Sequence, residues 1–284
     1  MAENQLGKIK LNKMRVVILT NKDLTSSLVF ERICKNNAFQ IAGVAFSSTL
    51  TSKKSFWTGF SEIFKKTGKR YFFYLCFYNG IFRVKEIICG SLPFLNKNFF
   101  SLRNYAKKQK IKYLDCSDFN SKYFLLILKE WNPDIIVTRI NQILKEDVLN
   151  SAEYGCLCCH SSFLPKYRGI AAEFHSLLNG EETVGFSVMK MTDELDRGDI
   201  LFQEKIKITP ADTVFSLTQK TSLLGADLLE KSLLAIRNNG ASYFKGLGEG
   251  SYYSWPNPKE VMKFKKNRKK IISFKETLKY IFGV

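Results

Sequence analysis

The feature that most constrains this 284-residue chain is a repeated exchange between short, β-branched apolar runs and stretches of helical spacing. Arg15-Val16-Val17-Ile18-Leu19-Thr20 reads as a first buried strand after a basic lead-in, and residues 24–35 read as a helix. Further strands are predicted near 41–47, at 111–114, and at 135–138 behind the turn Trp131-Asn132-Pro133-Asp134. Residues 121–130 carry the helical period. Short apolar runs alternating with helices belong to strands buried on both sides. The pattern therefore predicts an α/β fold, an open and mostly parallel sheet with helices on both faces.

The second half continues the rhythm. Residues 155–160 read as a strand, followed by a loop to Gly169 and a helix over 170–179 that Asn179-Gly180 ends. Segments 184–191 and 200–208 read as a pair of strands joined by 193–199, and 213–238 as one long helix or two. Residues 53–85, rich in Lys, Phe and Tyr, are expected to form helices that cover the sheet. From 259 to 279 there are eight lysines and one arginine against two glutamates. We read 14–236 as the catalytic domain and 237–284 as a small basic C-terminal appendage. The first strand runs into Leu19-Thr20-Asn21-Lys22-Asp23-Leu24 with no glycine-rich turn, which argues against a standard dinucleotide site.

Lys and Arg total 44 against 26 Asp and Glu, a net charge of +18. Such a charge favours anionic partners without choosing among nucleic acid, phosphorylated metabolite and anionic lipid. Seven cysteines are an odd number spread through a long chain, which points to a reducing compartment, and the expectation is cytoplasmic. Met1-Ala2-Glu3-Asn4 opens without the apolar run of a signal peptide. The apolar stretch at 71–82 is 12 residues long, whereas a spanning helix needs about 20, so no transmembrane segment is expected. Peripheral membrane contact through the aromatic and basic stretch 56–82 stays open beside plain packing on the sheet.

The chain has two histidines, His160 and His175. In a strand of period two, Cys156, Cys158 and His160 share one face. Pro165 ends the extended run, so His160 sits at a strand's C-terminal end, where open α/β sheets bind ligands. His160 is a candidate catalytic group, and a core or capping histidine is the alternative; His175 reads as an ordinary helix residue or a supporting partner. Zinc binding by Cys156, Cys158, Cys159 and His160 is not expected, because the four lie on two faces of one strand with no second ligand pair. A Cys158–His160 nucleophile pair lacks an orienting residue. Asp196 lies in Thr192-Asp193-Glu194-Leu195-Asp196-Arg197-Gly198-Asp199, which describes either a solvated turn or an active-site loop.

Taken together, Gly155-Cys156-Leu157-Cys158-Cys159-His160-Ser161-Ser162-Phe163-Leu164-Pro165-Lys166-Tyr167-Arg168-Gly169 and Glu194-Leu195-Asp196-Arg197-Gly198-Asp199-Ile200 resemble the folate-dependent formyltransferase family. That family includes methionyl-tRNA, glycinamide-ribonucleotide and amino-sugar formyltransferases. Its signature is Asn-x-His before a Ser-Leu-Leu-Pro-like loop, then a Leu-Asp-x-Gly loop. The resemblance covers about residues 14–236 and is firmest over 133–209. It implies a Rossmann-like fold, transferase activity, and one-carbon transfer from 10-formyltetrahydrofolate to a primary amine. His160 then corresponds to the catalytic histidine and Asp196 to the catalytic aspartate. The family's asparagine falls on Cys158, a departure.

In the family, the asparagine and histidine donate to the formyl oxygen as it gains charge, while the aspartate assists proton removal from the amine. Losing one such donor costs about 2.7–4 kcal/mol in a comparable protease site, and a thiol donates weakly. Cys158 thus implies slow turnover, a substitute donor, or altered chemistry, including a non-catalytic interaction protein. By the same resemblance, Arg139, Ile140, Asn141, Ile143 and Leu144 form the loop against the pterin of the donor, and Ser162, Lys166 and Arg168 contact the acceptor. Only about 48 residues follow Ile236, too few for the tRNA-binding domain of methionyl-tRNA formyltransferases. The acceptor favoured is therefore a small anionic amine, such as an amino sugar on a nucleotide or lipid phosphate, with tRNA as the alternative. Catalysis requires His160 and Asp196 to converge within about 3–7 Å across a pocket; loss of function would leave that pocket filled or open to water.

Overall fold

The computed structural model describes residues 13–48, 56–92 and 99–282. The Met1-Ala2-Glu3-Asn4 start and most of the basic lead-in lie outside the described residues. The first half contains β1 (Met14–Thr20), α1 (Leu24–Lys35), β2 (Phe39–Ser47), α2 (Phe56–Ser91), α3 (Leu102–Lys108), β3 (Tyr113–Cys116), α4 (Lys122–Trp131) and β4 (Ile135–Arg139). It continues with α5 (Glu146–Leu149), β5 (Cys156–His160), β6 (Arg168–Gly169), α6 (Ala172–Asn179), β7 (Thr183–Lys190) and β8 (Ile200–Lys207). A long helix α7 (Val214–Arg237) precedes β9 (Tyr252–Tyr253), α8 (Pro258–Lys266) and α9 (Phe274–Phe282).

Seven strands form one sheet in the order β3-β2-β1-β4-β5-β7-β8. The first five are parallel, and β7 runs antiparallel to both β5 and β8. This is the Rossmann-like α/β architecture expected from the alternating pattern. Side-chain period two divides the core. Val16, Ile18, Ile135, Val137, Leu157 and Cys159 pack with α1, α3 and α7 on one face. Val17, Leu19, Ile136 and Cys156 pack with α4 and α5 on the other. The chain leaves β1 toward one edge of the sheet and returns at β4 toward the opposite edge. The carboxyl ends of β1 and β4 therefore flank a topological switch point, where such sheets open a crevice.

Several helix starts follow from their caps. The Asp23 carboxylate accepts from the Ser26 N–H at 2.7 Å before α1, and Thr213 and Ser216 form a reciprocal capping box before α7. Residues 214–237 are thus one helix, not two. The strand predicted at 111–114 begins at Tyr113 instead, because the Ile111 N–H donates to the Ala106 carbonyl and holds that residue at the end of α3. The aromatic stretch is helical, but Gly68, at φ 70°, breaks α2 into two segments. Its buried Tyr71 packs on Phe174 of α6 and Tyr78 on Phe215 of α7 and Tyr280 of α9, an outer layer on the helices where a direct cover for the strands was expected.

The basic tail packs on this body. Phe264 of α8 stacks on Phe174 of α6 with ring centroids 4.5 Å apart. Tyr280 of α9 stacks on Tyr78 of α2, and its hydroxyl donates to the Tyr78 carbonyl at 2.9 Å. Strand β9 pairs with β6, Arg168 opposite Tyr252 and Gly169 opposite Tyr253, which carries the tail to the carboxyl edge of the main sheet.

Candidate active site

His160 ends β5, and its ring is 12% exposed. Nδ1 lies 3.5 Å from Oδ1 of Asp196, and Nε2 lies 3.3 Å from the Tyr167 carbonyl, which can only accept. Both ring nitrogens therefore face acceptors, so the ring is oriented as a donor. Asp196 is brought there by the loop after β7. Its backbone is left-handed, at φ 51°, and its Oδ2 accepts from the Gly169 N–H at 2.8 Å. The loop closes back on β7 through Gly198, where an added Cβ would lie 1.6 Å from the Lys190 carbonyl. Only a residue without a side chain permits that approach.

Two backbone groups thus hold the pair: the Tyr167 carbonyl and the Gly169 N–H. The tail positions both. Ser251 Oγ accepts from the Tyr167 N–H at 2.9 Å, the Ser251 carbonyl accepts from Arg168 N–H, and the Tyr253 carbonyl accepts from Ile170 N–H. The Tyr253 ring stacks between Tyr167 and His175, with centroids 5.1 and 4.5 Å away. Asn179 donates to both tyrosine hydroxyls at 3.1 Å. His175 is buried and donates from Nε2 to the Ser254 carbonyl at 3.0 Å, while its Nδ1 has no partner. Burial lowers its pKa, since a second proton would place an unsatisfied charge in the interior.

His160 and Asp196 open on a cleft of about 760 Å³ at the switch point. Its walls come from Asn21, Asp23 and Thr25 after β1, from Arg139 to Ile143 after β4, and from Gly169 to Glu173 at the start of α6. Tyr252 and Trp255 of the tail complete it. Cys158 lines the same cleft; its thiol is pushed up to about 12 by burial and then by the Asp196 charge, so it stays an uncharged S–H at neutral pH. The Arg139 guanidinium donates from Nη1 to Ser161 Oγ at 3.0 Å and from Nε to Thr25 Oγ1 at 3.4 Å, which fixes it across the mouth between β1 and β5.

Residues 106–233 match the family described as formyl transferase. The stretch from α3 into α7 is thus similar to that family. Over 116 residues it is 43% identical to the methionyl-tRNA formyltransferase of Caldicellulosiruptor saccharolyticus, a stretch covering 40% of this chain and 37% of the relative. The chain therefore spans well under two thirds of that relative's length. In architecture it is similar to the N-formyltransferase from Helicobacter canadensis solved in complex with folinic acid and dTDP-3-aminofucose, with a TM-score of 0.55 at 19% identity over 85% of this chain and 71% of that one. It is likewise similar to the phosphoribosylglycinamide formyltransferase of Coxiella burnetii, with a TM-score of 0.54 at 18% identity over 86% of this chain and 100% of that one.

Four residues expected at the site do not line the cleft. Leu144 is fully buried against Phe119, Phe124 and Val148, because it starts the turn into α5 and faces the core. Ser162, Lys166 and Arg168 do not line the cleft. The loop after His160 is anchored on the opposite side: Ser187 Oγ bridges the Ser162 carbonyl and the Leu164 N–H, and Leu164 packs on Met189 and Ile200. Lys166 is left facing Glu181 at 3.9 Å, and the Arg168 backbone is occupied in the β6–β9 pair. Conversely, sequence reading did not place Asp23, Thr25, Glu173, Tyr252 or Trp255 at the cleft. Asp23 carries a helix-capping signal only, and Tyr252 and Trp255 stand out only as a Tyr- and Trp-containing segment beyond a change of composition.

Proposed function

We propose that this protein transfers the formyl group of 10-formyltetrahydrofolate to a primary amine of a small anionic molecule, an amino sugar carried on a nucleotide or lipid phosphate. The observation that carries the reading is the meeting of His160 and Asp196 at 3.5 Å on a cleft at the switch point of the sheet. Its volume of about 760 Å³ lies in the range of about 300–1,000 Å³ usual for small-molecule sites. The loop after β4 offers Ile140 and Ile143 as apolar wall, with the Asn141 amide and backbone groups for the edge of a pterin. Arg139 supplies a fixed cation for a carboxylate of the donor.

The chemistry follows from what each group can do. The amine nitrogen attacks the formyl carbon, the carbon–nitrogen bond to the donor breaks, and the amine's proton ends on the donor nitrogen. Charge growing on the formyl oxygen is met by the Nε2–H of the His160 ring, which shares or gives up its long 3.3 Å contact with the Tyr167 carbonyl to reach it. Asp196, anchored by the Gly169 N–H, keeps the ring oriented and accepts the proton from the amine. Cys158 contributes a neutral thiol where the family has an asparagine, a poorer donor.

A methionyl-tRNA acceptor is the second reading, favoured by the 43% identity to such an enzyme. Against it, Tyr252 and Trp255 close one end of the cleft with flat apolar surface suited to a sugar or a base. The deciding experiment is release of tetrahydrofolate from 10-formyltetrahydrofolate with a panel of nucleotide-linked amino sugars and with charged tRNA. His160→Ala is expected to lower turnover at least about a hundredfold. Turnover that survives this substitution intact would overturn the assignment.

A further inference from the structure

We propose that the exposed face of α2 beyond Gly68 docks on an anionic lipid bilayer. At about 100° per residue, Phe73, Gly80, Val84, Ile87 and Ile88 fall within an arc of roughly 100° on one side of the helix. Phe73 is 64% exposed, Val84 55%, Ile87 68% and Ile88 43%. Exposed apolar side chains grouped on one side of a helix in this way mark an interaction site, unlike scattered single residues. The opposite side of the helix, with Tyr71, Tyr78 and Phe82, is already used in the core.

Charge identifies the occupant. Lys69 and Arg70 sit at the amino end of the same arc. With Lys265 and Lys266 of α8 they line a shallow cavity of about 510 Å³ that has no acidic residue in its wall. Met262, 73% exposed, lines the same cavity. Glu86, the one acid of α2 beyond Gly68, is turned inward to Ser101 and Arg83. Apolar side chains beside clustered cations match the acyl edge and phosphates of an anionic leaflet. A second copy would bring the same cations toward one another. Among the described residues no helix is long and apolar enough to cross a membrane, so the stripe lies on the bilayer and does not span it. None of these side chains lines the catalytic cleft, so the inference is independent of the formyl-transfer reading.

The test is co-sedimentation of the full chain with phosphatidylcholine vesicles, with or without phosphatidylglycerol, at low and high salt, alongside light scattering of the free protein. The expected result is binding to the anionic vesicles only, weakened by salt. A Phe73→Ser/Ile87→Ser variant, which leaves every charge in place, should lower the bound fraction at least fivefold. Lys69→Gln/Arg70→Gln/Lys265→Gln/Lys266→Gln should lower it comparably, with circular dichroism unchanged for both variants. Equal binding to neutral vesicles, no binding, or full binding by the serine variant would overturn the proposal. A dimer that the serine variant dissociates would also overturn it, by giving the face to a second copy.

Discussion

At the scale of single residues, the geometry of the cleft depends on backbone positions as much as on the side chains of His160 and Asp196. Gly198 allows the loop after β7 to fold against the Lys190 carbonyl, and that fold aims Asp196 at His160. Gly198→Ala is expected to push the loop away and lower turnover at least about tenfold, since small misplacements of reacting groups are expensive. Steady-state kinetics beside a melting curve checks it: the rate should fall further than stability alone explains. Cys158 makes the opposite prediction. Its thiol is uncharged and weak as a donor, so Cys158→Asn should raise kcat by about tenfold. An unchanged kcat would show that another group already serves the formyl oxygen.

At the scale of elements, the tail forms part of the wall of the cleft. Ser251 and strand β9 hold the two backbone groups that face His160 and Asp196, and α8 and α9 anchor this segment to α6 and α2. The two contributions separate by mutation. Phe264 is 1% exposed and stacks on Phe174, so Phe264→Ala should cost about 3–5 kcal/mol in urea unfolding. Tyr253→Ala removes the ring between Tyr167 and His175. It should cut activity more than stability, and it should speed proteolysis within 246–257. If the tail were instead an appendage that folds alone, neither change would reach the cleft, and both rates would stay near wild type.

At the scale of the whole molecule, one carboxylate ties the start of the long helix to its surroundings. Burial by itself would raise the Asp212 pKa, but hydrogen bonds from Lys220, the Thr209 N–H, Ser216 and the Thr209 hydroxyl prevail and bring it to about 2. The neighbouring Thr213 hydroxyl donates to Glu276 of α9 at 2.9 Å, joining helix start and tail. Because the folded value lies below the ordinary 3.8, the unfolded chain takes up this proton first. The stabilisation is complete above about pH 4 and disappears as pH falls toward 2. Asp212→Asn should flatten that part of the pH–stability curve from urea unfolding; an unaltered slope would count against the network.

Residues 14–20, 135–139 and 156–160 announced the parallel sheet, because strands buried on both faces have no freedom to be polar. The edge position of His160 was legible for the same reason: period two and the following proline locate the end of the strand. Pairing His160 with Asp196 rests on motif and not on spacing, since the two are 36 positions apart with two strands between them. The direction of the loop carrying Ser162, Lys166 and Arg168 was not legible. It depends on Ser187 and on a pocket formed by Leu164, Met189 and Ile200, which exist together only in the folded sheet. The arrival of Tyr252 and Trp255 at the cleft was hidden likewise, because the two-residue pairing of β6 with β9 spans more than 80 residues of chain.

Local periodicity and caps, written in side chains a few residues apart, decided the elements and the sheet edge at which the cleft opens. Contacts between distant segments decided which loops line the cleft, how His160 and Asp196 are held, and that the tail reaches it. Such contacts depend on shape and hydrogen-bond geometry that no short stretch of sequence encodes alone.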